Sequence, residues 1–198
     1  MPHYYDENPK GEVKEIEITE TLRGKVFSFT SASGLFSKEH TDNATKLLIN
    51  KCQIEEAKKI LDLGCGWGPV ITVLATEFPK KEFIGVDINK RAIKYTKKNC
   101  QRQGLKNVRV FSSNILDKLE NEKVDVILTN PPYAAGRKIC FDFINNSFEH
   151  LVKGGSLQLV ARHKKGGKTL MKKMEEVFGN VNTIGKKSGF HLYKSVKE

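Results

Sequence analysis

An α/β fold, with a seven-stranded parallel sheet covered by helices on both faces and a β-hairpin ahead of it, is the architecture this sequence predicts. Three observations carry that reading. From Lys59 onward, short apolar runs of strand length alternate with longer segments of helical period. Glycine and proline punctuate the junctions, as in Gly64-Cys65-Gly66-Trp67-Gly68-Pro69 and Asn130-Pro131-Pro132-Tyr133. The length, 198 residues with 38% hydrophobic, suits one domain with a small appendage.

Residues 1–11 read as a loose tail. Glu15-Ile16-Glu17-Ile18 and Lys25-Val26-Phe27-Ser28-Phe29 alternate polar and apolar around Arg23-Gly24, which predicts a hairpin. Ser31 to Ser37 reads as loop, and Asp42 is placed to cap a helix running to about Lys51. The chain therefore divides into an N-terminal extension, residues 1–41, and a main domain, residues 42–198. In the main domain a strand over Ile60–Leu63 leads through the glycine loop to a helix from Pro69 to Phe78, with proline at the favoured first position. A strand over Phe83–Val86 and a helix from about Lys90 to Gln103, stopped by Gly104, come next. Strands over Val108–Phe111 and Val124–Thr129 follow, the second ending in Asn-Pro-Pro-Tyr. A helix from about Lys138 to Leu151 ends at Gly154-Gly155, before a strand over Leu157–Ala161. A last helix, Thr169–Phe178, precedes strands near Asn180–Ile184 and Phe190–Ser195, joined across Lys186-Lys187-Ser188-Gly189. In such sheets ligands bind beyond the C-terminal strand ends, where the glycine loop, Asp87 and Asn-Pro-Pro-Tyr all fall.

Composition narrows the class. No apolar run approaches the ~20 residues of a membrane span, and the polar N-terminus does not read as a signal peptide. Cys52, Cys65, Cys100 and Cys140 are scattered without CxxC or histidine spacing, so they read as reduced thiols of a cytoplasmic protein, with no metal site. The net charge is +11 and unevenly spread. Residues 153–198 carry 11 basic and 3 acidic side chains, whereas residues 1–58 carry 8 and 10. A polyanion partner, most often nucleic acid, fits that asymmetry, although a merely solvated lysine-rich surface would look the same.

Two segments carry chemistry. The glycines of Asp62-Leu63-Gly64-Cys65-Gly66-Trp67-Gly68 let the backbone turn sharply against a ligand at the start of a helix. A nicotinamide loop would read GxGxxG, but here the third glycine comes one residue early and Pro69 takes its place. A carboxylate just before the loop would repel a pyrophosphate and suits an ammonium group. Asp87, ending the next strand, can accept from both hydroxyls of a ribose. A cationic amino acid joined to a nucleoside, S-adenosylmethionine, satisfies both acids. In Asn130-Pro131-Pro132-Tyr133 the prolines stiffen the turn and leave carbonyls free to accept. Asn130 Oδ1 and the Pro131 carbonyl could hold an –NH2 group while Tyr133 stacks on its ring; an ordinary strand-ending turn is the bland alternative. Gly167-Lys168-Thr169 imitates the end of a P-loop, but Arg162 stands where the first glycine is needed.

Residues Ile60 to about Ala161 resemble a class I S-adenosylmethionine-dependent methyltransferase, whose motifs I, II and IV are similar to the glycine loop, Asp87 and Asn-Pro-Pro-Tyr. More narrowly, the chain resembles the small-domain (MTS) methyltransferase family through Tyr4-Tyr5, Leu22-Arg23-Gly24-Lys25, Gly34-Leu35-Phe36-Ser37 and Phe178-Gly179-Asn180-Val181. That family includes bacterial ribosomal RNA guanine-N2 methyltransferases and shorter archaeal and Gram-positive relatives. The resemblance implies a Rossmann-like sheet with S-adenosyl-L-methionine as cofactor. Its cofactor set would be Asp62, Gly64, Cys65, Gly66, Gly68, Asp87, Ile88, Asn114, Ile115 and Asn130, with Phe36 over the pocket. Asn130, Pro131 and Tyr133 would be catalytic. Asn114 stands where the family usually has an acid for the adenine amino group, yet its Oδ1 can accept from that group. The duplicated N-terminal half of the bacterial guanine enzymes has no counterpart in these 198 residues, which leaves their particular substrate open.

The expected reaction is methylation of a base nitrogen in ribosomal or transfer RNA, guanine N2 ahead of adenine N6. Arg137, Lys138, Lys164, Lys165 and Lys168 are the expected phosphate contacts. Protein glutamine methylation and a non-catalytic RNA-binding role are the competing readings, and the expected state is monomer or homodimer. His163 is expected to touch phosphate or solvent, and the other histidines have no companions at catalytic spacing.

Overall fold

The computed structural model describes residues 7–8 and 12–198. Of the predicted tail, residues 1–11, only Glu7 and Asn8 are described, and the Tyr4-Tyr5 similarity lies outside the described residues. β1 (Glu15–Leu22) and β2 (Lys25–Ala32) form the hairpin, β1 reaching further toward the turn and β2 further toward the open end than the alternation suggested. α1 (Asn43–Lys51) is capped as predicted, with Asp42 accepting from Ala44 N and Thr45 N. Then come β3 (Lys59–Leu63), α2 (Pro69–Glu77), β4 (Glu82–Asp87), α3 (Lys90–Arg102), β5 (Val108–Ser112) and β6 (Val124–Thr129). α4 (Arg137–His150), β7 (Leu151–Arg162), α5 (Lys168–Phe178), β8 (Asn182–Lys187) and β9 (Phe190–Val196) complete the chain.

The main sheet has the order β5-β4-β3-β6-β7-β9-β8. Five strands are parallel, but β9 inserts antiparallel between β7 and β8, so the sheet is mixed and not parallel throughout. The reason is local. Ser188 and Gly189 both take positive φ, 50° and 79°, and a two-residue turn of that kind joins only antiparallel neighbours. Lys186 and Lys187, expected in the connection, belong to β8. β8 also starts later than predicted, because the Asn180 amide bonds Val196 N and Val196 O and takes the place of a strand partner. Gly154 and Gly155 do not end α4; they form an irregular start to β7, with bonds between Gly154 N and Lys197 O and between Lys197 N and Gly155 O.

Alternation along each strand divides the core between two faces. Ile60, Val126, Leu128 and Val160 face α1, α2 and α3, whereas Leu61, Leu63, Ile127 and Leu159 face α4 and α5. The hairpin lies outside α3. Fully buried Asn99 ties the two together, accepting from Thr30 N and donating to Thr30 O and Trp67 O. Among the described residues no helix is long and apolar enough to cross a membrane. Asn99→Ala leaves three buried backbone groups without partners, and each such group costs about 1–3 kcal/mol. The expected result is a lower urea midpoint with an unchanged slope; an unshifted midpoint would show that the hairpin is held some other way.

Candidate active site

The C-terminal ends of β3, β4 and β6 open into a cavity of about 580 Å³. It sits beside the boundary between β3 and β6, where the strand order reverses. A smaller lobe of about 50 Å³ adjoins it, lined by Asp62, Cys65 and Trp67. Phe36, Asp42, Gly64, Gly66 and Asn130 border both spaces.

The glycine loop is clamped to the end of β4. Gly64 N and Cys65 N both donate to Val86 O, at 2.9 and 3.0 Å, and Gly66 N donates to Asp87 Oδ2 at 2.9 Å. Thr96 Oγ1 donates to Gly66 O at 2.7 Å and closes the loop from α3. Gly64, Gly66 and Gly68 all have positive φ, 77°, 60° and 88°, where a side chain is strained. A Cβ on Gly68 would also lie 2.8 Å from Thr96 Cγ2.

Both acids reach the site largely desolvated. Asp62 is buried, and its Oδ2 has no hydrogen-bond partner among the described residues. Burial pushes its carboxyl up to about 7, opposed by the Ile71 N–H and reinforced by the charge of Asp87. Burial likewise raises Asp87 to about 6, against the N–H groups of Asn89, Gly66 and Ile88. Asp87 Oδ1 and Oδ2 each accept one backbone N–H at 2.9 Å, which leaves lone pairs for a diol. An orphaned, buried carboxylate oxygen calls for a cation with N–H groups. The donor set thus fits the ammonium and ribose of S-adenosylmethionine.

Across the cavity, Pro132 forms an inverse γ-turn, with φ −75° and ψ 74°. Tyr133 N donates to Pro131 O at 2.8 Å, so that carbonyl keeps one lone pair for a ligand and not two. Asn130 Nδ2 donates to Thr45 Oγ1 at 3.1 Å and lies 3.4 Å from Asp42 Oδ2. The Tyr133 ring is exposed and rests on the turn after β7: a Cβ on Gly166, where φ is +95°, would come within 2.0 Å of it.

Of the predicted site residues, Phe36, Gly64, Gly66, Asp87, Ile88, Asn114, Ile115, Asn130, Pro131 and Tyr133 line the main cavity. Asp62 and Cys65 line the lobe, and Gly68 stands behind it at the N-cap of α2. Asn114 donates Nδ2 to Asp117 Oδ2 at 3.1 Å. Ile115 is held at φ +51°, a strained value for a β-branched residue. Lys165 lines the cavity, while Lys164, Lys168, Arg137 and Lys138 are exposed at or beside the ends of α4 and α5 that flank it. Arg162 and Phe190 also line it, with the guanidinium 5.6 Å from the ring centroid, and neither was singled out from sequence. His163 is turned inward, against expectation: Nδ1 lies 2.7 Å from Tyr193 Oη and the ring stacks on His191 at 4.0 Å. Non-local pairing of β7 with β9 makes that cluster, so spacing along the chain did not reveal it. Among the described residues no group of three or more His, Cys, Asp or Glu could hold a metal ion.

A doubly wound sheet with a glycine loop, two carboxylates and an amide turn at its switch point defines a Rossmann-like methyltransferase. The Methyltransferase small domain family matches residues 26–194, and the chain belongs to that family. It is 36% identical over 197 residues to a Bacillus subtilis protein, YbxB, with 98% of each chain covered. It is 29% identical over 167 residues to ribosomal RNA small subunit methyltransferase C of Salmonella newport, covering 82% of this chain and 47% of that one. A T. thermophilus 16S rRNA N2 methyltransferase, solved with AdoMet and guanosine, superposes with a TM-score of 0.82 at 24% identity. That match covers 96% of this chain and 52% of the other. The chain thus spans about half the length of these two ribosomal RNA methyltransferases. It is a member of a methyltransferase family, and the carboxylates of its site fit S-adenosylmethionine as methyl donor.

The raised carboxyls predict a pH dependence. With folded values above the ordinary 3.8, the ligand-free protein binds more protons than the unfolded chain between about pH 4 and 7, so its stability falls as pH rises through that window. A cationic ligand requires Asp62 ionised. Affinity for S-adenosylmethionine should therefore rise roughly tenfold from pH 6 to 7.5, with proton release visible by calorimetry in two buffers. Asp62→Asn should weaken binding and flatten that dependence.

Proposed function

We propose that this protein methylates the exocyclic amino group of a nucleobase in ribosomal RNA, guanine N2 being the first candidate. The observation that carries the reading is Asn130: it borders both the lobe holding Asp62 and the larger cavity beneath Tyr133. The family membership and the ribosomal RNA relatives support it, as do the exposed cations around the cavity mouth.

S-adenosylmethionine supplies an activated methyl group on sulfonium. The chain's part is to place the acceptor nitrogen about 3–3.5 Å from that carbon, in line with the bond that breaks. An aromatic amine is a weak nucleophile because its lone pair is delocalised into the ring. Accepting its N–H bonds at Asn130 Oδ1 and at the remaining lone pair of Pro131 O favours pyramidal nitrogen and stabilises the positive charge that develops. With the sulfonium held at Asp62 and Asp87, its methyl carbon would pass to the amine and a neutral thioether leave, while Asn130 Oδ1 and Pro131 O hold the amine until its extra proton passes to water. Tyr133, backed by Gly166, offers a flat face for a base extruded from its helix. Lys164, Lys165, Lys168, Arg137 and Lys138 neutralise the phosphates that accompany it.

Incubation with labelled S-adenosylmethionine and separate ribosomal and transfer RNA pools, followed by nucleoside mass spectrometry, tests the reading. N2-methylguanosine in ribosomal RNA is expected; N6-methyladenosine or label in protein would replace the assignment. Asn130→Ala should lose about 10²–10³ in turnover while cofactor affinity changes little. Lys164→Gln with Lys168→Gln should weaken RNA binding and reduce its salt slope by about two.

A further inference from the structure

We infer that Asp42 and Thr45, at the start of α1, are positioning residues that set the polarity of the Asn130 amide and so select an acceptor that donates hydrogen. This rests on the reading that Asn130 receives the substrate amine. The three side chains form a directed chain. Asp42 Oδ1 accepts from Ala44 N at 2.8 Å and from Thr45 N at 3.2 Å, fixing the carboxylate as the helix cap. Thr45 Oγ1 donates its one hydrogen to Asp42 Oδ2 at 2.6 Å. A carboxylate can only accept, so the hydroxyl has no second hydrogen and can only accept from its other neighbour. That neighbour is Asn130, which presents Nδ2 at 3.1 Å. The same Nδ2 lies 3.4 Å from Asp42 Oδ2, a second reason for the NH2 end to face α1.

The opposite end of the amide must then be oxygen, and Asn130 is one of the residues that line the cavity. An amide free to flip would show NH2 to the substrate half the time and repel the N–H groups it should bind. The chain removes that alternative. Thr45 is buried, so water does not readily replace the hydroxyl. The arrangement explains why a cap residue and a first-turn threonine from a segment 85 residues away converge on the end of β6. Specificity follows: an amine meets an acceptor, whereas a carbonyl or deprotonated ring nitrogen in the same place meets a lone pair.

The test uses the full chain, labelled S-adenosylmethionine and 16S ribosomal RNA transcribed without modification, with ¹⁵N nuclear magnetic resonance of the Asn130 side-chain amide as a second readout. Thr45→Val should lower kcat about 10²-fold, as expected for a misplaced contact, with KM for the cofactor unchanged. Thr45→Ser, which restores the hydroxyl, should stay within about threefold of wild type. In the Asn130→Ala background, Thr45→Val should add nothing, since both act through one amide. Asp42→Asn, whose NH2 can donate to Thr45 and reverse the chain, should also lose turnover. Independently of activity, the Asn130 amide protons should exchange slowly in wild type and rapidly in Thr45→Val. If exchange is unchanged in Thr45→Val, or kcat is unchanged in an active enzyme, the positioning role is wrong. If wild type methylates no RNA amine while the exchange difference holds, the substrate reading fails and the orienting chain stands.

Discussion

The grip of β4 on the glycine loop is the constraint on which the rest of the site depends. One carbonyl, Val86 O, accepts from both Gly64 N and Cys65 N, and one carboxylate oxygen of Asp87 takes Gly66 N. These bonds turn the chain at once after β3 and start α2 at Pro69 over the sheet. They also leave Asp62 buried near the C-terminal end of β3, its Oδ2 without a hydrogen-bond partner among the described residues. Such a loop is costly to hold open: two carboxylates are desolvated, and Ile115 beside them is strained. Together these are the marks of a site shaped for a ligand, since a packed core would have replaced the acids with apolar side chains.

The N-terminal extension is fastened to that same loop. Asn99 links the β2 backbone to Trp67 O, and Trp67 Nε1 donates to Phe36 O at 3.2 Å. The indole packs edge-on against Phe29 of the hairpin, with centroids 5.1 Å apart. A residue that sits within the glycine loop therefore serves to carry the segment containing Phe36 to the rim of both spaces. Glu17 with Arg102 and Glu15 with Lys98 add exposed ion pairs between hairpin and α3, which contribute little next to the buried amide.

Most of the architecture was legible because it is local: glycine, proline and apolar period mark where β3, α2, β4, α3 and β6 begin and end. The cavity-lining residues at the ends of β3, β4 and β6 were legible for the same reason, falling within a few positions of strand ends. What escaped depended on pairing between distant segments. β9 enters between β7 and β8, a choice visible only once Ser188-Gly189 is known to be a tight two-residue turn. The stacking of His163 on His191 is a consequence of that insertion. Asp42 was legible as a cap, but its second partner, Asn130, lies 88 residues on, and nothing in a helix-start pattern signals that. Arg162 meets Phe190 only through the antiparallel pairing of β7 with β9, which residue spacing does not signal.

Charge is divided by depth, and the division separates chemistry from attraction. Asp62 and Asp87 stand in low dielectric, where a partner of opposite sign matters most and salt screens least. The lysines at the mouth are exposed, so on the proposed reading they act through a screened field that draws in phosphate whatever its sequence. Neither set can identify a base. Between them lie Asn130, Pro131 and the flat face of Tyr133, which can recognise an amine on a ring but not which ring bears it. On the proposed reading, discrimination must come from groups meeting the base edge away from that amine, and Arg162, Lys165 and Phe190 are cavity residues on the β7–β9 side. The Arg162 and Lys165 donors would then meet acceptors of the presented base, and both O6 and N7 of guanine and N1 and N7 of adenine are acceptors, so the shape of the cavity wall must separate the two.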